Sequence, residues 1–201
     1  MAASEKPQTS RLRQFKEDLR SLEVSEVIRK HIVTGLPVCL REDEYFELRQ
    51  TVACQFELYP SEVVLVGSCQ LGFSIHPDHR YRQVGHDSDL DIAIISSTRF
   101  DSYWDRVFEY AMIDVAWNST RAYRDFKQML FSGWIDPRGL PSVARFSHAQ
   151  KWTDFFDNLM STRRFGTRRI TARLYRTWGR LEAYQEKSVR LCLTTLGHEN
   201  E

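Results

Sequence analysis

Two short segments of this chain carry residues that can do chemistry. The first, Val63-Val64-Leu65-Val66-Gly67-Ser68, is an apolar, mostly β-branched run that ends on Gly-Ser. The second, Ser88-Asp89-Leu90-Asp91, opens another apolar run that reaches Ile95. Apolar β-branched runs bounded by turn residues read as buried strands, and a helix is expected to start at Gly67-Ser68. Gly67 lets backbone come close to a ligand. Free N–H groups at a helix start attract phosphate, and the Ser68 hydroxyl can donate one more hydrogen bond. In the second segment the two-residue period of a strand puts Asp89 and Asp91 on one face. Neighbouring carboxylates repel unless a cation lies between them, and Mg2+ takes a few carboxylates together with phosphate oxygens. A Gly-Ser turn alone is usually only a turn, and Asp-x-Asp alone is usually a solvated strand start or a cap. The two in this order, each on an apolar strand, point to phosphoryl or nucleotidyl transfer, which needs a metal on the triphosphate and an aligned attacking hydroxyl.

Val66-Gly67-Ser68 followed by Asp89-Leu90-Asp91 resembles the DNA polymerase β-type nucleotidyltransferase superfamily. Its members show an apolar strand, Gly-Ser, a variable spacer and Asp-apolar-Asp. The specific likeness covers residues 62–95. It implies an α+β (α/β) nucleotidyltransferase fold, a small mixed β-sheet flanked by helices, with Mg2+ (or Mn2+) as cofactor and an NTP as donor. By this match Gly67 and Ser68 would hold a phosphate of the triphosphate, and Asp89 and Asp91 the metal.

Two features depart from the superfamily pattern. Twenty residues separate Ser68 from Asp89, more than in its compact members. The surplus is the polar loop from His76 to His86, which could cover the site or bind an acceptor. The superfamily also places a third carboxylate on a later strand, whereas the best later strand here, residues 169–176, contains no acid. Asp114, in Met112-Ile113-Asp114-Val115, is a candidate third metal ligand if that stretch forms a strand. The 4, 3, 4 spacing of Trp104, Phe108, Ala111 and Val115 favours a helix with these four on its buried stripe.

A second chemical signal lies near the C-terminal end. Residues 161–190 hold nine basic side chains against Glu182 and Glu186, with Tyr175, Trp178 and Tyr184 interleaved. Arginine forks suit phosphate and flat aromatics suit bases. The alternative is a solvated face whose arginines pair acids elsewhere, as a net charge of +1 suggests. Arg173 is the favoured phosphate ligand, because a strand there aligns it with Thr171 and Tyr175. Its phosphate could belong to the NTP or to a nucleic-acid acceptor. His76, His79 and His86 lack a spacing that metal geometry requires and read as solvated.

These residues need elements to hold them. Helical spacing runs over residues 11–31 and about 41–58, and again from the Ser96-Ser97-Thr98 cap into the Trp104 stripe. It recurs at about 120–131, 149–160 and 180–191. Ile170, Ala172 and Leu174 alternate with Thr171, Arg173 and Tyr175 as in a half-buried strand. Gly133, Pro137, Gly139 and Pro141 mark a long irregular connection, more readily a structural loop than a lid. Residues 1–10 read as a flexible tail, and 11–201 as one domain ending in a basic strand–helix segment.

Bulk properties agree. The 201 residues suit one domain, and 42% hydrophobic with 27% charged is ordinary for a globular chain. The four cysteines show no C-x-x-C pair, which argues against zinc and fits a reducing, cytoplasmic setting. No apolar run is long enough to span a membrane. The expected activity is transfer of an NMP from an NTP to a hydroxyl on nucleic acid, protein, a small molecule or another nucleotide. The alternatives are a catalytically impaired module that binds nucleotide or a partner, and an accidental match.

Overall fold

In the computed structural model, which describes residues 7–198, the β-branched runs pair into one sheet. β1 (Val63–Val66) is antiparallel to β2 (Leu90–Ile95). The two-residue β3 (Trp134–Ile135) is antiparallel to β4 (Ile170–Tyr175), which is parallel to β2. The order is β1-β2-β4-β3, a small mixed sheet flanked by helices in an α+β chain. β1 and β2 keep the bounds that their sequences predict, and β4 is one residue shorter at each end than 169–176. Parallel β2 and β4 need a long crossover, which is built of α5 (Ser97–Ile113), α6 (Val115–Asn118), α7 (Arg121–Ser132) and α8 (Ser147–Ser161).

Each face of the sheet buries its own layer. Val63, Leu65, Ile92, Ile94, Ala172 and Leu174 face a core supplied by α3 (Glu42–Gln55), α5, α7 and α8. Val64, Val66, Ala93, Ile95 and Tyr175 face the other core. That second layer comes from α1 (Pro7–Ser21), α2 (Val24–Ile28), a π-helical turn over Arg29–Val33, and α9 (Trp178–His198). Asp91 and Thr171 continue the second face beyond its apolar part. α4 (Ser68–Leu71) is a single turn that opens at Gly67, where φ is 74°. Gln70, almost fully buried, ties that turn to the π-helical region through a bond from Nε2 to the Gly35 carbonyl at 2.6 Å.

Several expectations need correction. Residues 7–10 belong to α1, which starts at Pro7, and residues 1–6 lie outside those described. The helix over 11–31 is interrupted at residues 22–23, and α2 restarts where the Glu23 backbone N–H donates to the Glu26 carboxylate at 3.1 Å. The stripe on α5 is out of phase. Phe100, Tyr103 and Val107 are buried, whereas Trp104, Phe108 and Val115 are exposed. Both sets follow helical spacing, and periodicity alone cannot choose between two apolar faces. The irregular connection contains β3. Among the described residues no helix is long and apolar enough to cross a membrane.

Candidate functional site

The register of the sheet brings the singled-out residues together. Val66 pairs with Asp91 on one side and Thr171 pairs with Asp91 on the other. The end of β1, with Gly67-Ser68 just beyond it, therefore lies beside the start of β2. Asp89 directly precedes β2 and lies near enough to Asp91 to act on its carboxyl, and both are half-buried. Thr171 donates its hydroxyl to Asp91 Oδ1 at 2.6 Å. The other oxygen, Oδ2, lies toward Gly67, where an added Cβ would meet it at 2.8 Å. Glycine is required here twice, by its positive φ and by this close approach. Ser68 is the first residue of α4, directly after the N-cap Gly67, and is half-buried.

The electrostatics follow from this crowding. Burial pushes the Asp91 carboxyl above the usual aspartate range, and Asp89 adds to that push. The Thr171 hydrogen bond, Arg173 and Arg169 work in the opposite direction. Arg173 pairs in register with Ala93, two residues along from Asp91. Burial opposes its charge, but Tyr184, Tyr175, Asp91 and Asp136 outweigh that and hold it above the usual guanidinium range. Its guanidinium carbon lies 5.6 Å from the ring centres of both Trp134 and Tyr184.

The loop entering Asp89 is fixed from two sides. Arg168 donates to the carbonyls of Gly85 and Ser88, and the Ser88 backbone oxygen also receives the Cys69 thiol. The long spacer folds back on itself, with Ser74 bonded to Arg82 and Gly72 to Val84. It packs on α9, where Arg80 reaches Thr195 and Tyr81 reaches the Cys192 carbonyl. His76 and His79 are exposed, and His76 lies 3.7 Å from Asp78.

Asp114 is used elsewhere. It ends α5 and caps α6, accepting from the Tyr110 hydroxyl at 2.6 Å and the Trp117 backbone at 2.9 Å. The reason is local: the stretch is a helix junction, not a strand. Among the described residues no group of three or more His, Cys, Asp and Glu side chains is arranged to hold a metal. The side chain beside Asp91 on the later strand is Thr171.

Sequence reasoning missed Asp136 and Arg138. Trp134 and Ile135 pair with Tyr175 and Leu174, so Asp136 follows alongside Arg173. Its carboxylate binds Arg138 at 2.6 Å, and the Arg138 guanidinium also feels Asp89. A two-residue strand has no readable period, so no sequence signal marked it. The basic segment divides in two. Arg164, Arg176 and Arg190 pair with Glu47, Asp101 and Glu186, whereas among the described residues Arg169, Arg173, Arg180 and Lys187 have no carboxylate partner.

In comparisons with protein-family models, with curated proteins and with solved structures, nothing matches this chain.

Proposed function

We propose that this chain has a nucleotidyltransferase fold and transfers an NMP from an NTP to a hydroxyl acceptor. The observation that carries the reading is the meeting of Gly67 with Asp91 across the β1–β2 register, with Ser68 and Asp89 close by in the chain. The donor set fits a hard divalent cation: two carboxylates, with Asp91 Oδ2 left clear of the Thr171 bond. Asp89 and Asp91 would hold Mg2+ or Mn2+, which when bound neutralises charge on the triphosphate. The Ser68 hydroxyl and backbone N–H groups of its turn bind phosphate oxygens. Thr171 orients Asp91, and Arg173 adds positive charge beside the two acids. In the reaction the acceptor oxygen bonds to the α-phosphorus, the bond to the bridging oxygen breaks, pyrophosphate leaves, and the hydroxyl proton passes to solvent.

A second reading rests on its own observation. Thr171, not an acid, stands beside Asp91 on the later strand. A site without a third carboxylate would bind nucleotide and serve as a sensor or partner-binding module. Calorimetric titration of NTP with Mg2+ tests what both readings share. Wild type should bind, and Ser68→Ala and Asp91→Asn should weaken binding at least tenfold. Equal affinity in all three proteins would remove both readings.

A further inference from the structure

On α9, Arg180, Tyr184 and Lys187 follow 4, 3 spacing and share one helix face. That face walls a groove of about 730 Å³, completed by Phe131, Trp134 and His76 of the spacer loop. Such a volume lies within the roughly 300–1,000 Å³ of small-ligand sites. No acidic side chain lines it. Arg180 and Lys187 are both exposed, without a carboxylate partner among the described residues. The Arg180 stem lies over Gly133, where an added Cβ would meet it at 2.7 Å. Phe131 is 85% exposed, an unusual position for so large an apolar ring. The Trp134 and Tyr184 rings meet edge to face at 5.1 Å. Arg173 lies over both rings on one side and acts on Asp91 on the other. Arg173 thus links the groove's two rings to Asp91 electrostatically, while neither acid lines the groove itself.

We propose that this groove binds single-stranded nucleic acid and presents its end as the acceptor hydroxyl. This rests on the nucleotidyl-transfer reading and names its substrate class. Arg180 and Lys187 stand about 10 Å apart along the helix axis, which suits successive phosphates better than one phosphate group. Bases stack on Phe131 and on the Trp134–Tyr184 pair, as in other sites that combine cations with aromatic platforms. An acidic peptide would use the cations and leave the rings idle.

The test is fluorescence anisotropy with a short 5′-labelled single-stranded RNA, in EDTA and without NTP. Binding is then read independently of any transfer chemistry. Wild type should bind, with affinity falling as salt rises. Each lost phosphate contact lowers the slope of log affinity against log salt by about 0.7, so Arg180→Ala/Lys187→Ala should lower it by about 1.4. Phe131→Ala should weaken binding about 5- to 150-fold. These side chains are exposed, and circular dichroism checks that the variants fold. Four results would overturn the proposal: no RNA binding by wild type, an unchanged slope in the double variant, equal displacement of RNA by polyglutamate, or variants that lose NTP affinity while keeping RNA affinity. Failure of pyrophosphate release with RNA binding intact would instead count against the transfer reading alone.

Discussion

A methyl group on Gly67 is the smallest change that strains both backbone and carboxylate at the site. Gly67 has φ 74° and ψ −156°, a region essentially restricted to glycine. Holding another residue there costs about 1–3 kcal/mol. The new Cβ would also stand 2.8 Å from Asp91 Oδ2. The carboxylate must turn away, loosening its bond from Thr171 at a cost of about 1 kcal/mol. Together these give about 2–4 kcal/mol. At about 2–4 °C per kcal/mol for a chain of this size, Gly67→Ala should lower Tm by about 4–16 °C. Asp91→Ala removes the clash and leaves the backbone strain. In that background the same glycine change should cost about 1 kcal/mol less, a coupling that a double-mutant cycle resolves. Thermal melting of the four proteins by circular dichroism is the assay. A Gly67→Ala Tm within about 1 °C of wild type would refute the strain argument. Strict additivity across the cycle would refute the contact with Asp91.

Three other outcomes are expected. Thr171→Val keeps the shape and removes the hydroxyl, so the half-buried Asp91 loses its donor; chemical denaturation should show a loss of about 1–3 kcal/mol, and no loss would contradict the bond. His148 is held down to about 4 by burial, with Arg106 and Lys151 adding to the effect, and neither ring nitrogen finds a hydrogen-bond partner among the described residues. Between the ordinary value near 6.5 and about 4 the unfolded chain takes up a proton that the folded chain refuses. Stability should therefore fall as pH drops through that window and stay level with respect to this group above it. With the ring partly solvated, the loss should be about 1–2 kcal/mol. His148→Phe should remove that part of the slope, and an identical pH profile would reject the assignment. Cys54 is exposed and Cys39 half-buried, whereas Cys69 and Cys192 are buried. Ellman's reagent should therefore modify two thiols in native protein and the others only on unfolding.

Much of the framework was legible because the strands announce themselves. Val63–Val66 and Leu90–Ile95 are nearly unbroken apolar runs bounded by Gly67 and by Asp89, and Ile170–Tyr175 alternates. Strand period alone aligned Arg173 with Thr171, both of which lie in β4. What single-segment patterns cannot carry is the pairing between segments. That Thr171 donates to Asp91 depends on a parallel register formed across the crossover between β2 and β4. Asp136 comes alongside Arg173 only because two residues, Trp134 and Ile135, extend the sheet. α5 was mis-phased because Phe100-Tyr103-Val107 and Trp104-Phe108 are both apolar at helical spacing. Tertiary packing against the sheet, which no local pattern encodes, selected the first. The basic segment looked uniform in sequence, yet long-range acids such as Glu47 and Asp101 neutralise only part of it.

The most direct measurement is pyrophosphate release from each NTP with Mg2+ and a single-stranded RNA acceptor, comparing wild type with Asp89→Ala and Asp91→Ala. The account predicts release by wild type, loss of at least a hundredfold in each variant, and an RNA product longer by the transferred nucleotide. Release retained in either variant would contradict the roles given to the two acids. Tight NTP binding without release by wild type would contradict catalysis and leave the nucleotide-binding module.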